Sequence, residues 1–134
     1  MSATTALHEL DATAQAELVR RGEVSPRELV EHAIQRVQMI DPVLGAVVIE
    51  RFDAARREAA ELRPGAPFAG VPTLLKDAGQ ELAGEPHYAG VAALRDVDAR
   101  SPHTTELARR FGAAGFVTIG RSKCPPLSSG VNTE

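Results

Sequence analysis

The residue best placed to do chemistry in this chain is Lys76, in the run Gly70-Val71-Pro72-Thr73-Leu74-Leu75-Lys76-Asp77. Val71 to Leu75 has the length and composition of a buried strand, with Gly70 before it and Gly79 after it. A lysine at the end of such a strand is expected to be partly desolvated, which disfavours the ammonium form. A lysine able to become neutral can accept a proton and return it, so general acid–base work is the chemistry this position offers. The competing reading is a charge that snorkels to water or pairs with an acid, and Asp77 lies next in sequence. On a strand Asp77 points to the opposite face, so it reads as structural, capping the following turn.

Other reactive side chains carry weaker signals. The tripeptide Ser128-Ser129-Gly130 is a common loop sequence just after a predicted strand, so neither serine reads as a nucleophile. Cys124 has no histidine near it in sequence and is followed by two prolines, which makes it a loop thiol. His8, His32, His87 and His103 are scattered and show no zinc-ligand spacing; His8-Glu9 continues as Leu-Asp-Ala, so the zinc-protease pattern fails. No metal site and no cofactor are predicted. The glycines form neither a dinucleotide fingerprint nor a phosphate-binding loop.

Positioning the lysine falls to alternating helices and strands. Asp11 is expected to cap a helix over Ala12 to Arg21, with Gly22 as its stop. Ser25, Pro26 and Glu28 form a capping box for a second helix whose apolar residues, from Leu29 to Ile40, recur at helical spacing. Asp41-Pro42 is expected to end it, and Val43 to Ile49 then reads as a short strand weakened by Gly45. A third helix is predicted over Phe52 to Leu62, followed by a turn-rich link, Arg63 to Pro67, into the lysine strand. Ala78 to Asp98 reads as loop, and a loop that long in a compact domain is usually functional or disordered. Thr104 to Ala114 is a predicted helix, apolar along Leu107, Ala108 and Phe111, with Ser101 or Thr104 as cap. Phe116 to Ile119 is a predicted strand. Such alternation without hairpin signals predicts an α/β layer architecture with some parallel pairing.

Composition removes several function classes. The 134 residues carry a formal net charge of −3, and the pairs Arg20-Arg21, Arg56-Arg57 and Arg109-Arg110 fall on predicted helices among acids. They read as solvated faces, and with 4% aromatic residues and no tryptophan a nucleic-acid partner is not expected. A single cysteine fits a reducing compartment. The N-terminus is unlike a secretory signal, and no run approaches the ~18 apolar residues of a membrane span, so a cytoplasmic protein is expected.

The segment GVPTLLKDAGQELAGEPHYAG (Gly70 to Gly90) resembles the amidase signature family, whose members hydrolyse amides with a Ser–Ser–Lys triad. The similarity continues through SPHTTELARRFGAAGFVTIGRS (Ser101 to Ser122) and back through DATAQAELVRRGEVSPRELVEHAIQRVQMIDPVLGAVV, in family order and spacing. It implies the N-terminal part of an α/β/α sandwich with a mixed sheet, preceded by helices. Residues 1–134 would be part of one amidase domain, with a helical region to about 42 and the start of the core from about 43. It implies that Lys76 is the catalytic lysine, accepting a proton through a bridging serine that activates the nucleophilic serine. The family's serines lie in glycine-rich segments further along, so neither is expected within these residues. The implied partner is a small-molecule amide substrate, and the family allows a homodimer at full length.

Where relatives commonly carry Thr-Asn-Xaa-Pro-Glu, this sequence has Ser122-Lys123-Cys124-Pro125-Pro126. Lys123 and Pro126 thus replace an amide and a carboxylate expected to buttress the site, which points to a divergent or inactive member. Gly84, Gly90 and the loop between them are candidates for the substrate entrance. The N-terminal match leans towards the branch acting on oligomeric and cyclic aminohexanoate amides. Two other readings stand beside the hydrolase: a truncated, non-catalytic interaction module, and the amidase subunit of a tRNA-dependent amidotransferase. On the fragment reading the isolated chain exposes a strand edge and apolar helix faces. It is therefore expected to be marginal or aggregation-prone; a monodisperse monomer that melts cooperatively in light scattering and calorimetry would contradict this.

Overall fold

A computed structural model describes residues 7–62 and 65–133. After a 3-10 turn at Leu7–Glu9 come α1 (Ala12–Arg20), α2 (Pro26–Leu44), β1 (Val47–Glu50), α3 (Phe52–Glu61) and β2 (Pro72–Lys76). They are followed by α4 (Ala92–Asp96), α5 (Glu106–Ala114), β3 (Val117–Ser122) and a 3-10 turn at Pro126–Ser128. The fold is α/β, built on a mixed sheet ordered β1-β3-β2. β3 is the central strand: it runs antiparallel to β1, from Val47↔Ser122 to Glu50↔Gly120, and parallel to β2, from Pro72↔Val117 to Lys76↔Ser122.

The N-terminal helices start where the sequence says they should. The Asp11 carboxylate accepts from the Ala14 N–H at 2.8 Å. Ser25 Oγ accepts from the Glu28 N–H at 3.2 Å, and Glu28 Oε2 accepts from the Ser25 N–H at 2.8 Å, closing the capping box. The end of α2 corrects the expected stop at Asp41-Pro42. The helix continues through Pro42 to Leu44, and Gly45 caps it in the left-handed region at φ 60°. Pro42 removes one donor in the last turn, where Gln38, the residue four before it, is exposed and water can take the freed carbonyl. Asp41 then turns the chain, its Oδ1 accepting from the Ala46 and Val47 N–H groups at 2.7 and 3.1 Å. The predicted strand from Val43 therefore shrinks to β1, because Val43 and Leu44 belong to the helix.

α2 and α3 pack on β3 around Val30, Ile34, Phe52, Ala55, Ala59, Val117 and Ile119, with Ala33, Val37, Leu62 and Leu74 at the margin. Small residues at 55 and 59 allow α3 to lie close to its neighbours. Gly120 is needed for a similar reason: a Cβ there would come within 2.7 Å of the Ile49 carbonyl oxygen. The far end of α2 has no such cover. Met39, Ile40, Val43 and Leu44 are exposed, and the outer edges of β1 and β2 have no strand partner among the described residues.

The turn into the lysine strand is predicted at Arg63 to Pro67, of which Arg63 and Pro64 lie outside the described residues. Beyond it, Gly70 N–H donates to the Gly115 carbonyl at 2.9 Å and Gly70 sits at φ 83° against Pro26. A Cβ on Gly70 would lie 2.5 Å from Pro26 Cβ. Gly70→Ala therefore meets both a left-handed backbone and a clash, and should destabilise the fold by about 2–4 kcal/mol. An unfolding free energy from denaturant titration within about 0.5 kcal/mol of the parent, a roughly neutral result, would show that the strand entry and the start of α2 separate freely.

Candidate active site

Lys76 is the last residue of β2, and its side chain is exposed. The expected desolvation is thus not supplied by the described residues, because strand alternation turns Lys76 away from the face on which Asp77 is packed. Its backbone is held: the Lys76 N–H donates to Gln80 Oε1 at 2.6 Å. The next N–H, of Asp77, donates to the Ser122 carbonyl at 3.0 Å and carries the parallel pairing one residue past β2.

Asp77 is 1% exposed and its contacts are structural, but they lie on the returning loop at Tyr88 and Gly90 and not, as expected, on the turn that follows it. Its Oδ1 accepts from the Tyr88 N–H at 3.0 Å and its Oδ2 from the Gly90 N–H at 3.3 Å. One carboxylate therefore fixes the loop that departs after the lysine at the point where it returns. Ala89, between those two donors, is held in the left-handed region at φ 48°. Gly90 is left-handed too, at φ 69°, and a Cβ on it would meet the Cys124 carbonyl oxygen at 2.5 Å. The predicted loop from Ala78 to Asp98 is more structured than its irregular sequence suggests. It contains α4 and a bridge between Pro86 and Arg100. Ser101 and Thr104, proposed as caps of the next helix, serve this loop instead. Ser101 Oγ donates to the His103 carbonyl at 2.8 Å, and Thr104 Oγ1 accepts from the Ala83 N–H at 3.0 Å.

Two arginines, unmarked by any sequence motif, lie beneath this loop. The Arg51 guanidinium holds Glu85 with two bonds, Nε–Oε2 at 2.6 Å and Nη2–Oε1 at 2.8 Å. It also donates through Nη2 to Glu58 Oε1 at 2.7 Å and through Nη1 to the Thr118 carbonyl. Burial opposes its charge, but the bonds to Glu85 and Glu58 outweigh that and raise its affinity for the proton. Arg121, on β3, is fully buried. Burial pushes it below the usual arginine value, against the pull of Glu85, Asp77 and Glu81. Its Nη1 donates to the Gln80 carbonyl at 2.8 Å and sits 3.5 Å from the Lys76 carbonyl. His87 completes the group, with Nε2 3.1 Å from Glu81 Oε1 and Nδ1 3.8 Å from Asp77 Oδ1.

A cavity of about 490 Å³ opens beside Asp77, lined by Tyr88, Gly90, Val91, Arg95, Lys123 and Pro126 among others. Of the two candidate entrance glycines, Gly90 lines it and Gly84 does not; Gly84 instead donates its N–H to the Ser101 carbonyl at 2.8 Å. Both residues that depart from the family pattern, Lys123 and Pro126, are on its wall. Cys124, also on the wall, is a buried loop thiol, its Sγ 3.6 Å from the Asp77 carbonyl oxygen. Ser129 Oγ donates to the Pro126 carbonyl at 2.8 Å, in an exposed turn. His8 and His32, distant in sequence, stack with ring centroids 5.5 Å apart, and among the described residues no group of metal-ligating side chains gathers. No described helix is long and apolar enough to cross a membrane.

The lysine-bearing parallel strand, the buried aspartate after it and the helices packed on a mixed sheet define an amidase-type α/β framework. A family profile described as Amidase matches residues 28–134. The chain belongs to the amidase signature family. It is 44% identical over 124 residues to the 6-aminohexanoate-cyclic-dimer hydrolase of Paenarthrobacter ureafaciens, covering 92% of this chain and 25% of that protein. A solved structure of 6-aminohexanoate cyclic dimer hydrolase complexed with substrate superposes with a TM-score of 0.87 at 42% identity, over 93% of this chain and 26% of the other. A bacterial aryl acylamidase of the amidase signature family superposes with a TM-score of 0.80 at 32% identity, over 88% and 26% respectively. The chain thus spans about a quarter of the length of the relatives it matches.

Replacing the Asp77 carboxylate tests the loop anchor. Asp77→Asn loses the charge that strengthens two backbone bonds and turns an amide N–H₂ towards one of them. It should cost about 1.5–3 kcal/mol of stability. Amide exchange at Tyr88 and Gly90 should accelerate together; acceleration at neither would mean that the carboxylate does not hold the loop.

Proposed function

We propose that these residues are the N-terminal part of a single-domain amide hydrolase that works through a Ser–Ser–Lys acyl-enzyme mechanism, with Lys76 as its proton relay. The observation that carries the reading is the position of Lys76 in a chain of this family. It stands at the end of β2, with a bonded backbone and a side chain free on the exposed side of the sheet. On this reading both serines come from polypeptide beyond position 134. The same polypeptide would cover the open side of the sheet and take Lys76 out of water.

The chemistry suits an amide. The bridging serine takes the nucleophile's proton and passes it to the lysine amine as the nucleophile attacks the carbonyl carbon. Backbone N–H groups of a glycine-rich loop would hold the oxyanion, each worth about 3 kcal/mol. The C–N bond then breaks with the relayed proton going to the departing amine, and water hydrolyses the ester. Asp77 and the arginine cluster touch none of the reacting atoms; their work is to fix the strand end from which the lysine reaches out.

Small linear or cyclic amides of ω-amino acids are the preferred substrate class, because two relatives at 44% identity are described as 6-aminohexanoate-cyclic-dimer hydrolases. Lys123 adds a cation to the wall beside Asp77 in place of the neutral amide of the family pattern, which would favour substrates with a free carboxylate.

In the longest natural polypeptide carrying this chain, hydrolysis of a 6-aminohexanoate anilide should fall at least ~10³-fold in kcat on Lys76→Ala, with KM within ~3-fold of the parent. Lys76→Arg should not rescue it, since guanidinium does not release its proton. Full turnover by Lys76→Ala would remove the relay assignment. A natural polypeptide ending without the two serines would replace the hydrolase with the interaction module.

A further inference from the structure

We infer that Arg121 is a positioning residue for Lys76, acting from beneath the sheet through the turn formed by residues 76–80; the inference rests on the relay role proposed for Lys76. The turn is closed at the top by the Gln80 side chain, whose Oε1 accepts from the Lys76 N–H at 2.6 Å. It is held at the bottom by Arg121, whose Nη1 donates to the Gln80 carbonyl at 2.8 Å and approaches the Lys76 carbonyl at 3.5 Å. Gln80 is thus gripped at both ends, its carbonyl by the buried cation and its amide by the lysine's own backbone. Gly79, at φ 73°, supplies the left-handed residue that this closure needs.

A fully buried guanidinium is a costly device for packing alone. Arg121 follows Val117 and Ile119 at two-residue spacing along β3, so an aliphatic side chain would have continued that row. Its Nε and Nη2 are buried without a hydrogen-bond partner among the described residues. All of its bonds run through the single nitrogen that faces the turn. Asp77, Glu81 and Glu85 surround the cation and Arg51 opposes it, and none of these four charged groups bonds its guanidinium. The cation is therefore balanced by the field around it and committed through Nη1 to the lysine turn. Moving that turn by an ångström would misplace the amine, and misplacement on that scale costs on the order of 10²-fold in rate.

Because one nitrogen makes the contacts, an ammonium can replace it, whereas a neutral isostere cannot. In the longest natural polypeptide carrying this chain, Arg121→Met should lower kcat per active site about 10–100-fold with KM within threefold, on the scale of such misplacement. Active sites are counted by the acyl-enzyme burst on a 6-aminohexanoate anilide. Arg121→Lys should recover most of the loss. Gln80→Ala, which keeps the buried cation and its bond to the carbonyl of residue 80, should give a smaller loss of the same kind. Both Arg121→Met and Gln80→Ala should speed amide exchange at Lys76, the readout that remains if Arg121→Met yields no burst.

A merely structural arginine would lower the melting temperature and the number of active sites while leaving kcat per site unchanged. That result, or unchanged Lys76 exchange in Gln80→Ala, overturns the inference. Lys76→Ala run in parallel separates the two claims. If it is inactive while Arg121→Met and Gln80→Ala keep full kcat per site, only the positioning role fails. If Lys76→Ala is itself fully active, the relay assignment fails and the positioning role with it.

Discussion

Everything in this chain hangs on β3 having both edges occupied. β1 and β2 are not neighbours, and each finds its ladder only on the strand between them. The helices join through the same element: α2 and α3 close over Val117 and Ile119, and Arg51 reaches from the start of α3 to the Thr118 carbonyl. All but the last residue of β3 are buried. In that setting every backbone polar group must be paired within the protein, and a small residue at 120 becomes compulsory, because a side chain there would push β1 away.

Charge at the lower end of the sheet is organised in two different ways. Arg51 is satisfied pairwise: three of its nitrogens bond carboxylates or a carbonyl, and the exposed flank of Glu58 leaves part of the cluster in contact with water. Arg121 is satisfied by surroundings, with carboxylates near it and a single nitrogen bonded to carbonyl oxygen. The first arrangement pins the loop to the helices at modest net energy, since the gain of pairing is largely spent on desolvation. The second leaves a single donor, Nη1, committed to the strand end while nearby carboxylates balance the charge. Asp77 reinforces the local order from the same face by holding the Tyr88 and Gly90 N–H groups of the returning loop.

Much of the scaffold can be read directly from residues, and the failures have physical causes. The capping box at Ser25 to Glu28 and the Asp11 cap are local chemistry, complete within four residues, and they are found as written. The strand carrying Lys76 is legible because an apolar run ends in a charge. Pro42 misled because a proline near a helix end costs only one hydrogen bond, which water can replace. What covers Lys76 is not legible at all, because a strand position says that a side chain leaves the ladder, not what lies above it. The arginine cluster was invisible for a different reason. Arg51 and Glu85 are 34 residues apart, and Arg121 meets Gln80 across 41, so nothing in local spacing links them. His8 and His32 met for the same non-local reason.

The order of the strands also has a kinetic side. β1 and β2 are complete by Lys76, yet neither can pair until β3 exists, about forty residues later. At synthesis rates of roughly 5–20 residues per second that interval is on the order of 2–10 s. During it two short strands and the apolar side of α2 wait on an unfinished sheet. Closing such a distant parallel pair also pays its loop entropy before any ladder bond is made, which slows folding relative to a hairpin of the same size. The nascent chain thus spends its most vulnerable seconds between Lys76 and Val117, the stretch in which the salt-bridged loop is being made.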